Sequence, residues 1–496
     1  MTTYSVLIDR DDDDTFALDL AAAVTALRWR LGGGAPASAL VTLRSASRAF
    51  APESGGADLT GRRLRIVSDD GVTRRVHFTG HVTRVEPPPG RREQTAALHA
   101  EGLDAALARV PARLPPLANA RAGTIIARIL DAAALRPWPL AGRWLLGRAG
   151  HCALGQTTRL APPKIARQLD AGRTVFACAG DTWGEGVSAL AAIHAVAEAE
   201  RGRFFVDRDG RAVFLDRQRA LLPGAPAAAF SDNMDGLDYD YGAAVVNAVR
   251  VRCLPREAGA AGSALWALPG AQLIAPGGRW AVTAAFHDEA GRPLGALTVI
   301  APVPGRDFSA SAGPDGGADL TGLVDVFLRW AGAAAARLEI RSRTHQPLYL
   351  RLRVRGTPLR QGAPLTVTAA SAASAAFYAP DTLTLDLPQL DSLAQARSVA
   401  RFELARRRVP RGRITALTLA AGQQRAQILA RALGDRVRVS EAQTGHTADY
   451  FIHAEAHEVT HSGSRHRVGW ALEPADAGVF WPLGRARLGA ATRLAY

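Results

Sequence analysis

Residues 183–253 read WGEGVSALAAIHAVAEAERGRFFVDRDGRAVFLDRQRALLPGAPAAAFSDNMDGLDYDYGAAVVNAVRVRC, and this stretch decides the fold. Val187, Leu190, Ala191, His194 and Ala197 recur at helical spacing, which predicts a helix with Asp181 or Thr182 as N-cap and Gly202 just past its end. Two short β-prone runs, 203–206 and 212–215, flank Asp209-Gly210, a dipeptide that tolerates positive φ and so predicts a hairpin. After a polar loop, Leu237, Tyr239 and Tyr241 alternate, and 245–252 reads as a further strand. The order is helix, hairpin, loop, strand.

Towards the N-terminus the pattern is all β. Strands are expected at 3–8, 24–31 (Leu27, Trp29 and Leu31 alternating with Arg28 and Arg30) and 39–43. Asp69-Asp70-Gly71 joins 64–67 to 72–78; 81–86, a turn at 87–89 and 94–100 follow. About seven short strands in about a hundred residues suggest a barrel or sandwich. Composition then shifts. Thr124 can cap a helix carrying Ile125, Ile126, Ile129, Leu130 and Ala133, which Pro137 stops. Residues 141–169 have little periodicity and receive no assignment.

Strands dominate again from 257 to 360, with candidates at 279–286, 297–301, 324–330 and 338–341. Leu348, Leu350, Leu352 and Val354 alternate with Tyr349, Arg351, Arg353 and Arg355, a half-buried strand with a basic outer face. Gly- and Pro-rich loops bracket this block, which reads as a β-sandwich inserted into its neighbour. Beyond it come strands at 365–368 and 382–387. A helix then begins at Asp391 or Ser392 and ends in Arg406-Arg407-Arg408. Cations at a helix C-terminus suit the backbone dipole, and an acidic partner patch is the sharper alternative. Strands at 414–419, 436–439, 450–459 and 466–472 follow.

A chain of 496 residues is too long for one core, so about two to four domains are expected. Its 48% hydrophobic and 21% charged content are those of a globular protein. No run of about 18 apolar residues predicts a membrane span, and the opening residues do not read as a signal peptide. Three scattered cysteines (Cys152, Cys178, Cys253) argue against a disulfide framework or a Cys-based zinc site and suggest a reducing cytosol. The net charge is +14, carried almost wholly by arginine, with Lys164 the one lysine. Arginine binds carboxylates and phosphates bidentately, but these arginines are dispersed and no nucleic-acid module is present.

Few motifs suggest chemistry. His457-Glu458-Val459-Thr460-His461 spells the zinc-protease string HExxH. That string works on a helix, where one turn puts the two histidines about 6 Å apart on one face. Here its surroundings alternate as a strand, in which residues four apart lie roughly 13 Å from each other. Two ligands each about 2.0–2.1 Å from one zinc cannot be that far apart. The third histidine of the longer metzincin pattern would fall on Arg467. His453, His457 and His461 are therefore expected as exposed residues on a strand face. Gly32-Gly33-Gly34 imitates a dinucleotide loop, but Pro36 leads into a strand where a helix is needed. Asp11 to Asp14 lack the spaced ligands of a calcium loop. No catalytic, cofactor-binding or metal-ligating residue is assigned.

Several stretches, in order, resemble the tail hub proteins of tailed phages and related injection machines. They are ALVTLRSASRAFAPESGGADLTGRRLRI (39–66), VHFTGHVTRVEP (76–87), AERGRFFVDRDGRAVF (199–214), VVNAVRV (245–251), ALGDRVRV (432–439) and DYFIHAEAHEVTHSGSRHRVGWALEP (449–474). The resemblance spans most of the chain except 257–360. It implies a mainly β fold with an α+β portion: a first tube-like β-barrel at 1–102 completed by strands near 235–256, and an α+β lateral domain at 103–234. An inserted β-sandwich at 257–360 and a second tube-like β-barrel at 361–496, with one helix at about 391–408, complete it.

The resemblance further implies a structural virion component without enzymatic activity or cofactor, assembled in the host cytoplasm. Such a homotrimer joins a sixfold tail tube or distal tail protein to a threefold tip spike or central fibre, at the tail tip or baseplate. Genomic DNA would pass through its channel during ejection without sequence-specific binding. Many relatives carry a C-terminal extension, whereas this chain stops at Tyr496, so receptor recognition would sit elsewhere or on the insert. Two other readings are a β-rich cell-surface or carbohydrate-binding protein, which would want a signal peptide, and a zinc hydrolase, which would need a helix around His457.

Overall fold

A computed structural model describes residues 2–10, 14–45, 49–51, 53, 58–87, 94–133, 165–183, 187–221, 224–242, 245–288 and 290–475. The expectation of a mainly β chain with an α+β portion is met. In Val24–Gly32 the alternation works as read: Leu27, Trp29 and Leu31 are buried while Arg28 and Arg30 face solvent. This strand pairs on one side with Ser38–Arg44 and on the other with His446–Thr460, more than four hundred residues away. The first and last β blocks thus share one 13-stranded sheet and one core, in which Trp29, Phe78, Tyr450 and Trp470 are packed. The main path runs from Gly236–Tyr241 at one edge to Leu18–Asp19 at the other and does not close on itself among the described residues.

Two strands expected separately, at 72–78 and 81–86, form the single long strand Arg74–Glu86. Gly80 lies within it because a Cβ there would come within 2.4 Å of the Glu101 carbonyl oxygen. The strands near 235–256, expected to complete the first block, divide: the first joins the edge of the large sheet and the second leaves it. Gly236–Tyr241 pairs with Gly412–Ala420. Ala248–Cys253 lies between Leu365–Ala370 and Thr382–Asp386. Its inward residues Val249, Val251 and Cys253 pack with Ala396, Val399 and Ala400 of the helix Leu393–Arg407, so this strand belongs to the α+β core.

In that core the central helix is Ala189–Glu200, capped by Ser188, whose hydroxyl accepts from the Ala191 N–H at 3.1 Å. Asp181 cannot cap it, because its carboxylate is buried against Arg256 (2.7 Å) and Gln361 (3.0 Å). The buried face is Leu190, Ile193, Val196 and Ala197, and Ala191 turns outward, a phase shift from the expected stripe. Arg201 adopts φ 58°, and Gly202 follows where a Cβ would meet the Leu215 carbonyl oxygen at 2.6 Å. The hairpin Arg203–Val206/Ala212–Leu215 forms as read and gains a parallel neighbour, Arg167–Leu169. The helix Ala122–Ala132 begins before Thr124 and buries Ile125, Ile126, Ile129 and Leu130. Its expected stop at Pro137 and most of the unassigned 141–169 stretch lie outside the described residues.

The insert has its own core, built on the strand Leu348–Gln361. Arg256–Ala258, Ser263–Ala267, Gln272–Ile274, Gly295–Ile300 and Phe308–Gly313 all pair with different parts of it. A second sheet, Arg279–Ala285, Ala335–Ser342 and Val324–Ala331, contributes Ala284, Leu338, Ile340 and Val324 to the same core. The helix Ala421–Ala430, between strands of the large sheet, was not foreseen in the sequence.

Candidate functional site

The HExxH string is extended, lying within His446–Thr460 and the short turn His461–Gly463. His453 and His461 are exposed as expected, but His457 is buried at 3% exposure, which corrects the reading of all three as surface residues. The cause is a bulge between Ile452 and Ala454. It changes the side-chain parity, so that Glu455, His457 and Val459 point inward while Glu458 points out and pairs with Arg28 at 2.5 Å.

Inside, His457 Nδ1 lies 2.9 Å from His466 Nε2, whose Nδ1 lies 2.7 Å from the Tyr4 hydroxyl. The Trp29 ring stacks on His457 with centroids 4.5 Å apart, and His77 packs beside both. Glu455 receives a bidentate Arg208, Nε at 2.8 Å and Nη2 at 2.7 Å, and Arg208 also donates to the Leu429 carbonyl at 3.0 Å. Burial lowers all three imidazoles: His466 to about 2, by burial first and then by His457 and Arg208, with His77 and His457 lowered too, the latter against the pull of Glu455 3.5 Å from its Nε2. Burial alone would raise the Glu455 carboxyl, but Arg208 reverses this and keeps it ionised. Among the described residues no three His, Cys, Asp or Glu side chains converge as a metal site.

Sequence reasoning missed this network. Arg208 reads as a polar turn residue of the Asp-Gly hairpin, yet it reaches the large sheet and ties the α+β unit to it. The available signal was Glu455 and His457 at the same strand parity as Val459.

The other motifs resolve simply. Gly32, Gly33 and Gly34 all have φ near +75° and turn the chain from one strand into the next, with no helix to receive a phosphate. Asp9 and Asp14 pair with Arg63, while Asp11 to Asp13 lie outside the described residues, as do Cys152 and Lys164. Cys178 and Cys253 are buried free thiols. Of the arginine cluster, Arg406 and Arg407 converge with Arg201 on the buried Glu403.

Two concavities among the described residues bear on function. A cleft of about 390 Å³ separates the α+β unit from the sheet, with Arg203 bridging to Glu473 at 2.8 Å. A broad concavity of about 1110 Å³ covers the outer face of the sheet where Arg28, Arg30, Arg84 and Arg467 project among Glu101 and Glu458.

No protein-family model matches the sequence, and no curated protein matches it. Among solved structures, the tail protein from Neisseria meningitidis MC58 superposes with a TM-score of 0.50 over 96% of this chain and 99% of its own, at 12% identity. The chain has a tail-protein fold. A 43 kDa tail protein of prophage MuSo2 from Shewanella oneidensis aligns at TM-score 0.48 and 10% identity, covering 96% and 99% of the two chains. An Escherichia coli component of the type VI secretion system, described as structurally similar to bacteriophage tail proteins, aligns at 0.37 and 8%, covering 95% and 76%. Within the tail-protein fold the HExxH string is a sheet strand. Among the described residues no helix is long and apolar enough to cross a membrane.

Proposed function

We propose that this chain is a structural tail component, a trimeric hub without catalytic activity, acting by assembly around a channel. The observation that carries the reading is a fold like that of a tail protein over nearly the whole length of both chains. It is joined by the fusion of the first and last β blocks into one sheet. In this reading 1–102 and 412–475 supply two tube-like β regions, 103–221 with 245–253 and 365–407 is the lateral unit and 257–360 is an outward insert. Three chains then offer six similar β regions to a sixfold tube and threefold symmetry to a spike or fibre, a closed ring.

The basic concavity is the candidate channel wall. Its arginines are tempered by carboxylates, as in Arg28–Glu458 and Arg84–Glu86 (2.8 Å). Such a mixed wall suits passage of a polyanion, because each uncompensated cation adds salt-dependent, sequence-independent retention. The virion tail would be its place, with ejected DNA as transient content.

Native mass spectrometry of the purified protein, alone and with tail-tube and spike proteins, tests this. The expected result is a metal-free trimer in at least one mixture. A chain that stays monomeric in all of them, or a monomer carrying one zinc, overturns the proposal.

A further inference from the structure

The insert carries a surface that the tail role leaves unused. On its three-stranded sheet the inward residues alternate with an outer face whose composition is unusual. Register places Arg279 directly opposite Arg341, which faces Asp325 on its other side. The next row is Ala281, Glu339 and Phe327, and the next Thr283, Arg337 and Trp330. Like charges opposite each other on neighbouring strands are destabilising. Arg279 makes no side-chain bond among the described residues, and Asp325 is engaged by Arg343 at 3.3 Å. Five arginines (279, 329, 337, 341, 343) thus face two carboxylates.

Phe327 stands at the centre, 38% exposed. The guanidinium carbons of Arg329 and Arg341 lie 4.9 and 5.3 Å from its ring centroid. Both arginines turn their Nε edges to Glu339, at 2.7 and 2.6 Å, and their Nη groups have no protein partner among the described residues. Both guanidiniums therefore lie over the Phe327 ring, which supports them while their Nη donors stay free. Ala281, Thr283 and Ala285 keep one flank low and exposed. Arg113 of the α+β unit closes the Trp330 end, 6.0 Å from that ring.

We propose that this face binds an acidic polysaccharide, its carboxylates held by Arg279 and by the Nη groups that Arg329 and Arg341 present over Phe327, and its sugar rings lying along the low flank of Ala281 and Thr283. A guanidinium edge pairs with a carboxylate bidentately, and the aromatic face beneath it holds the cation in place. Glu339 in the middle of the face selects against nucleic acid, whose closely spaced phosphates would run over it. A uronic-acid chain separates its charges by neutral rings. The assignment does not rest on the tail role.

The test is calorimetric titration of the full chain with hexagalacturonate, maltohexaose and a short single-stranded DNA. Binding of hexagalacturonate with a Kd below about 1 mM is expected, with none for maltohexaose. Phe327→Ala and Arg341→Gln should each weaken it about tenfold or more, while Phe327→Tyr and the opposite-sheet control Arg351→Gln should not. Because Phe327 is exposed, an unchanged melting temperature separates lost binding from lost folding. No binding of hexagalacturonate, equal binding by Phe327→Ala, or tighter binding of the DNA overturns the proposal.

Discussion

Acidification should loosen the junction between the first and last β blocks well before its carboxylates titrate. His77, His457 and His466 are buried there, and burial lowers all three below their ordinary value of 6.5, His466 to about 2. Above pH 6.5 an imidazole is neutral in both the folded and the unfolded chain, so it adds no pH dependence. Below pH 6.5 the unfolded chain takes up a proton that the folded one refuses, and stability falls by about 1.4 kcal/mol per pH unit for each such group. At pH 5 this amounts to about 2 kcal/mol for His466, and His77 and His457 add to it in the same direction.

The groups around them titrate outside this window. Tyr4 is pushed up to about 12, and Glu455 is held low by Arg208 against the effect of burial. Hydrogen exchange read by mass spectrometry on peptides from His446–Pro474, at pH 7.5, 6.5 and 5.0 and corrected for intrinsic rates, measures the local opening free energy. His466→Asn should remove about 1.4 kcal/mol per pH unit of the slope. Opening free energies that stay flat from pH 7.5 to 5.0 would refute the claim that these histidines are sealed in a neutral state.

Three further outcomes follow from the packing. Arg208→Ala leaves the buried Glu455 carboxyl with His457 Nε2, 3.5 Å away, in place of its bidentate partner and should cost about 3–5 kcal/mol, whereas joint replacement of Arg208 and Glu455 by leucine should recover much of the melting temperature. Gly32→Ala places a Cβ at φ +76° and 2.4 Å from the His453 carbonyl oxygen. It should lower stability by about 1–3 kcal/mol in urea titration, and a neutral result would mean the turn can be rebuilt. Arg256→Ala removes the buried partner of Asp181 (2.7 Å) at the root of the insert. Limited proteolysis should then cut near Pro255 and Gly362 at rates well above the wild type, and unchanged rates would show that the neck strands alone fix the insert.

What could be read from the sequence was local. The Asp209-Gly210 hairpin, the Leu27/Trp29/Leu31 stripe and the alternation from Leu348 to Val354 are set by turn chemistry and period-two burial, and each appears where it was expected. Reading failed where a distant partner decided the outcome. The N-cap moved from Asp181 to Ser188 because Asp181 is claimed by Arg256, 75 residues later. The strand near 250 left the first block because a helix 150 residues away covers its apolar face.

His457 shows the mechanism most clearly. Strand periodicity correctly made its stretch extended, yet placed it on the wrong face, because one bulge near His453 reverses every side chain after it. A bulge costs no hydrophobic residue and leaves little mark in the sequence. The mark it did leave was charge: Glu455 and His457 share the parity of Val459, so a strand with a solvated outer face would have had to bury the valine's neighbours with it. Only a partner of opposite charge makes that arrangement tolerable. The residue supplying it, Arg208, comes from the hairpin that also anchors the α+β unit. The polar core beneath Trp29 is therefore the joint where the chain's three most distant segments—residues near 4–29, 208 and 455–466—are registered against one another.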